Sequence, residues 1–169
     1  MPIQIYLKAE GIYKGQIKGN ATHRDFYDYI EVLSANFGSH HSFNQATLEI
    51  NGKRRYNPLH IVKFQDKASI DLFSMMVEGD VFRTFELTFT SRAGNDRLIR
   101  TSEFQPYLRL SLINACILNY AFGPATNIPE NENPLRIPAI DSFDIGFGGL
   151  LYEDLLTGKM LEDNLLQEN

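Results

Sequence analysis

The sequence predicts a mainly β protein: an antiparallel β-barrel of two packed sheets, with one flanking α-helix and a candidate short C-terminal helix. Three observations lead there. Apolar residues recur with a period of two in several separate stretches. Glycine-containing turn signals stand between them. A single segment carries helical spacing instead. Side chains of a strand point to opposite faces in turn, so each alternating run presents one apolar face. Short antiparallel strands with one such face must close or stack to bury it.

The elements follow in order. Ile3, Ile5 and Leu7 alternate with Gln4, Tyr6 and Lys8. Phe85, Leu87 and Phe89 alternate with Thr84, Glu86 and Thr88. Leu108, Leu110 and Leu112 alternate with Arg109 and Ser111, and Phe143, Ile145 and Phe147 with Ser142, Asp144 and Gly146. Weaker strand signals cover 28–34, 46–50, 59–65 and 98–102. Asn51-Gly52 and the run 93–96 read as hairpin turns. The helix is predicted over 69–78, with Leu72, Phe73, Met76 and Val77 on its apolar face, Ser69 as N-cap and Gly79 as stop. Residues 36–45 read as a polar loop. The proline-rich stretch 123–138, with Glu130 and Glu132, reads as a long surface loop.

After Gly149, leucine-rich pairs recur every five residues. At about 100° per residue most of them fall on one broad helical arc, which Gly158 weakens. Two readings stand for this tail: a partly ordered segment, or an amphipathic helix that docks on a partner.

The chain has 169 residues, which suits one domain. Its 16 basic against 21 acidic residues leave a net charge of −5, without the basic surplus of a nucleic-acid binder. The one cysteine, Cys116, has no internal disulfide partner and reads as a buried thiol. One cysteine and no paired histidine spacing exclude a structural zinc set. The N-terminus lacks a basic, then apolar, leader, and no stretch approaches the ~20 apolar residues of a membrane span. Synthesis in the cytoplasm is expected, and any export without a cleaved signal peptide.

Candidate chemical groups are few. His40-His41 sits in a polar stretch, where neighbouring side chains diverge and rarely share an ion. His60, Asp66 and Ser69 can be drawn as a triad, but His60 alternates with Leu59 and Ile61 and reads as structural or interfacial. Asp66-Lys67 reads as a loop charge pair before the helix, with the Asp favoured by the helix dipole.

In this order the elements resemble the hemolysin-coregulated protein (Hcp) family of the type VI secretion system. The opening Ile5-Tyr6-Leu7-Lys8-Ala9-Glu10-Gly11-Ile12, with Gly15 and Ile17, is similar to the family's first strand and turn. Pro58-Leu59-His60-Ile61-Val62-Lys63-Phe64-Gln65-Asp66-Lys67-Ala68-Ser69 is similar to its strand-to-helix segment, with Leu72 and Gly79 in the expected places. The stretch Leu110-Ser111-Leu112-Ile113-Asn114-Ala115-Cys116-Ile117 resembles its penultimate strand, and 142–147 its closing strand. The resemblance covers 3–152, so the domain expected is 1–152, followed by a tail over 153–169. Ile70 departs from the family's Pro, there is no Trp, with Tyr152 the candidate to replace it, and 146–149 holds three glycines.

The resemblance implies a tube subunit rather than an enzyme. It implies hexameric rings stacked head to tail into a hollow tube expelled by sheath contraction. The implied partners are further copies of the chain, the contractile sheath, spike and baseplate proteins, and effector proteins held in the lumen. It implies no cofactor, metal or catalytic group, and no membrane insertion. Lys53, Arg54, Arg55 and Tyr56 are the ring-stacking candidates, because the family's extended loop between early strands reaches the next ring. Arg54 and Arg55 are expected to meet acidic groups of a neighbour, such as Glu130 and Glu132. The competing reading is a monomeric β-barrel binding module, or a specialised secreted carrier that builds no tube.

Overall fold

The computed structural model describes residues 3–92, 104–123 and 139–165. Eleven strands form one curled antiparallel sheet, and two more form a separate hairpin. The strands are β1 (Gln4–Gly11), β2 (Gly15–Ile17), β3 (Ile30–Val32), β4 (Ser34–Asn36), β5 (Ser39–Asn44), β6 (Glu49–Tyr56) and β7 (Leu59–Phe64). After helix α1 (Ala68–Glu78) come β8 (Val81–Arg92), β9 (Phe104–Ile113), β10 (Ala115–Gly123), β11 (Ile140–Gly146), β12 (Gly149–Asp154) and β13 (Met160–Asn164).

The long strand β8 organises the sheet. It pairs with β1 along one edge. Along the other it pairs with β9 and then, at Phe82 and Val81, with β10. Between β9 and β10 stands Asn114 with φ +51°, a left-handed conformation that Asn tolerates better than most residues. From there β10 pairs with β11, β11 with β7 and β7 with β4. The sheet thus curls into a half-barrel packed against its second half. Leu7, Ile30, Ile61, Phe85, Leu87, Leu110, Phe143 and Ile145 meet in one core. These are the inward positions of the alternating runs, so the period-two pattern and the core agree. The expected barrel of two sheets is this half-barrel.

Helix α1 covers part of that core, but it is rotated from the expected face. Ala68, Ser69, Leu72 and Met75 are buried, whereas Phe73 and Val77 are exposed. The buried side chains follow the i, i+3/i+4 spacing equally well, starting one residue earlier. The start of the helix also differs from expectation. Ser69 is not the N-cap. The Asp66 carboxylate accepts from the Ala68 N–H at 2.9 Å, and Ser69 Oγ accepts from the Asp66 N–H at 2.9 Å. This is the reciprocal arrangement of a capping box. Gly79 ends the helix as expected, in a left-handed conformation at φ +68°.

Four other expectations are corrected. The polar stretch 36–45 is not a loop: most of it is strand β5, paired with β6. Both faces of that hairpin are exposed, so it carries no alternating signature. The hairpin turn lies at 45–48 rather than at Asn51-Gly52. Gly52, at φ +76°, sits instead in an irregularity of β6 where the register shifts.

The C-terminal segment is not a helix. β12 lies between β9 and β13, with Leu150 buried, and β13 returns beside it. Gly158 at φ +75° makes the turn, and the Asp154 carboxylate accepts from the N–H groups of Leu156 at 2.9 Å and Thr157 at 3.1 Å. The glycine that weakens a helix here closes a hairpin.

Cys116 is half-buried rather than buried, because it alternates with the inward residues Ala115 and Ile117 on β10. The expected turn at 93–96, the strand at 98–102 and most of the loop over 123–138 lie outside the described residues.

Candidate functional site

Among the described residues, the β5–β6 hairpin pairs through its backbone with no strand of the main sheet. A lone two-stranded hairpin is marginal in water, so its orientation depends on anchors. They come from one face of β6. The Arg54 guanidinium forms a two-point charge-assisted hydrogen bond with the Asp163 carboxylate. The Tyr56 hydroxyl donates to the same carboxylate at 2.6 Å, and its ring lies 5.4 Å from that of Phe147. The Asn57 N–H donates to the Gly38 carbonyl at 2.8 Å, closing the base.

The four predicted residues therefore divide by strand alternation. Arg54 and Tyr56 turn toward the body of the molecule; Lys53 and Arg55 are exposed. The expected acidic partners Glu130 and Glu132 lie outside the described residues, and Arg54 pairs with Asp163 of its own chain. Asp163 is the residue that sequence reasoning missed. It stands in a strand whose residues, Met-Leu-Glu-Asp-Asn, do not alternate.

Electrostatics agree with the geometry. The Arg54 hydrogen bond holds the Asp163 carboxyl below the usual carboxylate range. Burial, and next the hydrogen bond to Asp163, push the Tyr56 phenol up.

Toward its turn the hairpin is apolar and uncovered. Phe43 and Ile50 face each other across the strands, and Leu48 occupies the turn with three-quarters of its surface exposed. Exposed apolar side chains gathered in this way are material for contact with another molecule. The main sheet adds outer strands, β13 and β4 at the ends of its main path and β2 and β3 beside β1, and outer strands are natural pairing material.

A second constellation explains the most specific sequence match. Lys63 is fully buried. Its Nζ donates to the Phe64 carbonyl at 2.8 Å, Asp66 Oδ1 at 2.8 Å, Ser69 Oγ at 3.1 Å and Asp141 Oδ2 at 3.1 Å. A buried ammonium persists only when paired and hydrogen-bonded in this way. The cluster ties β7, the start of α1 and β11 together, which makes it a device of architecture.

The residues of the drawn triad are not brought together. Ser69 and Asp66 belong to the Lys63 cluster, whereas His60 Nδ1 lies 2.6 Å from Asp144 on the outer face of the sheet. There His60, and next Asn119, hold the Asp144 carboxyl low. Asp66 and Lys67 do not pair with each other, since Lys67 reaches Asp28 at 2.8 Å. His40 and His41 lie exposed on β5.

Comparison with known proteins agrees with this architecture. The family described as "Type VI secretion system effector, Hcp" matches residues 6–162. No curated protein matches the chain by sequence. Among solved structures, one crystal structure of an Hcp protein superposes with a TM-score of 0.82 at 16% identity, over 96% of this chain and 98% of that chain. A mutant Hcp1 from the E. coli EAEC 042 pathovar gives 0.76 at 15%, over 95% and 97%. Hcp1 from Salmonella typhimurium gives 0.69 at 17%, over 100% and 99%. At such identities the likeness carries the fold, and the sequence profile carries the family. With nearly its whole length matched, the chain belongs to the Hcp family of type VI secretion system proteins.

Proposed function

We propose that this protein is a structural subunit of the type VI secretion inner tube. Six copies form a ring, and rings stack head to tail into a hollow cylinder that sheath contraction expels. Effector proteins ride in the lumen, and the tube meets spike, baseplate and sheath proteins. Membership of a structural, secreted family supports the reading. So does the absence, among the described residues, of any helix long and apolar enough to cross a membrane.

One observation carries the assembly reading furthest: a hairpin separate from the main sheet, anchored through Asp163, whose Phe43, Leu48 and Ile50 are uncovered. A ring closes through a heterologous interface, and stacking needs a second one. The anchored hairpin is suited to that second contact, with Lys53 and Arg55 as its outward cations.

Mass measurement in solution, joined to negative-stain imaging, tests the proposal. Rings and stacked tubes are expected, and a strict monomer at high concentration overturns it. Reversing Arg55 alone (Arg55→Glu) is expected to weaken stacking and leave the melting temperature unchanged. Reversing Arg54 as well also disturbs the anchor, so the single variant isolates the contact.

A further inference from the structure

We infer that the cavity between α1 and β10 is a receptor for a basic side chain, arginine or lysine, presented by a partner polypeptide. The cavity measures about 220 Å³. Its walls are Ile70 and Phe73 from α1 and Tyr120 and Phe122 from β10, with Ser69 and the fully buried Asp141 also lining it. Tyr120 and Phe122 stand two apart on β10 and so share a face of that strand.

The walls are ordered where they meet the core and open where they meet solvent. The Tyr120 ring stacks on Phe143 at 5.7 Å and lies 5.5 Å from Phe73. Its hydroxyl donates to the Ser69 carbonyl at 3.3 Å. Ile70 and Phe122, in contrast, expose 80% and 67% of their surfaces. A large aliphatic and an aromatic side chain left in water beside a concave site are what a ligand would cover.

Charge names the ligand. Behind Asp141, Lys63 is shared between two carboxylates, Asp66 and Asp141, so a single ammonium faces both. Asp141 Oδ2 is committed to Lys63 and Ser69, while Asp141 Oδ1 is buried and, with the Tyr120 hydroxyl close to the carboxyl, makes no hydrogen bond of good geometry. Such an acceptor is costly to leave unmade. Burial, and next hydrogen bonding with the Asp141 side chain, push the Tyr120 phenol far above its usual range. Aromatic faces over a negative floor attract a guanidinium or ammonium and discriminate against a neutral isostere. The inference does not depend on tube assembly, because it concerns a cavity within one subunit.

Saturation-transfer NMR on the full-length protein, which tolerates large assemblies, tests it with defined probes. N-acetyl-arginine methylamide and N-acetyl-lysine methylamide should bind about 5-fold or more tightly than neutral N-acetyl-citrulline methylamide. Phe122→Ala, at an exposed position, should keep the melting temperature and weaken the basic probes about 3-fold or more. Asp141→Asn, if folded, should abolish the preference for arginine over citrulline. Phe73→Ala serves as a second reporter where Asp141→Asn does not fold. Equal binding of citrulline, no binding of arginine, or unchanged affinity in both Phe122→Ala and Phe73→Ala would overturn the assignment.

Discussion

At residue scale two charged groups carry most of the specific structure. Asp163 receives both Arg54 and Tyr56, so Asp163→Asn removes the charge from a two-point pair that is only partly exposed. A loss of about 1 kcal/mol is expected in thermal or urea unfolding. The pH dependence has a definite sign. Because Arg54 lowers the folded-state pKa of Asp163, the folded chain binds that proton more weakly than the unfolded chain. The stabilisation is complete above the ordinary carboxylate range and is lost as pH falls through the lowered value. Melting curves of the native chain and Asp163→Asn should therefore differ at neutral pH and converge in acid. A constant difference would assign the effect to packing.

Lys63→Met makes a larger change. It leaves Asp66 and Asp141 buried without their ammonium, and a loss of about 3–5 kcal/mol is expected in urea denaturation. Of these two groups, Lys63 was partly legible: its segment carried the clearest family resemblance, although nothing local said that it meets Asp141. Asp163 was illegible, because its partner Arg54 lies more than a hundred residues earlier in the chain and no spacing rule spans that distance.

At the scale of elements, legibility followed burial. Strands β1, β8, β9 and β11 each have one face in the core, and the resulting alternation could be read directly. Helix α1 was located, but its buried face was misjudged by one position. Its apolar residues run nearly all round, so the choice belongs to what packs against it. The β5–β6 and β12–β13 hairpins were misread for two different reasons. The first has no buried face to pattern its sequence. The second has leucine pairs at a spacing that fits no single element, with a glycine that serves a turn as well as it spoils a helix.

This view makes β13 a brace for the β5–β6 hairpin. Removing residues 159–169 deletes Asp163 but leaves β12 paired with β9. Limited proteolysis within 39–56 is expected to speed up by about 5-fold or more, since losing about 1 kcal/mol of anchoring raises the open population by that factor. Cleavage in β1, β8 and β9 should change little. Uniform acceleration across the chain would show that β13 supports the whole fold rather than the hairpin.

At the scale of the whole molecule, the half-barrel is the packed body and the β5–β6 hairpin stands outside its sheet. If rings close through the body and stack through the hairpin, the two steps separate. Phe43→Ser with Leu48→Ser removes the uncovered apolar surface near the turn without touching the core. Rings are then expected in negative-stain images and stacked tubes are not. Loss of rings as well would place the hairpin in the lateral contact.

The sequence alone determined the mainly β class, the helix after β7 with its glycine stop, the inward residues of the principal strands and the family, because these depend on local periodicity and on motifs read in order. Only the tertiary structure decided the rest. It set the open, curled closure of the sheet, the strand pairing of the tail, the inward turn of Arg54 and Tyr56 onto Asp163, and the gathering of Lys63, Asp66, Ser69 and Asp141. Each of these joins residues far apart in the chain, and their partnership comes from packing and from the need to pair buried charge, neither of which has a sequence period.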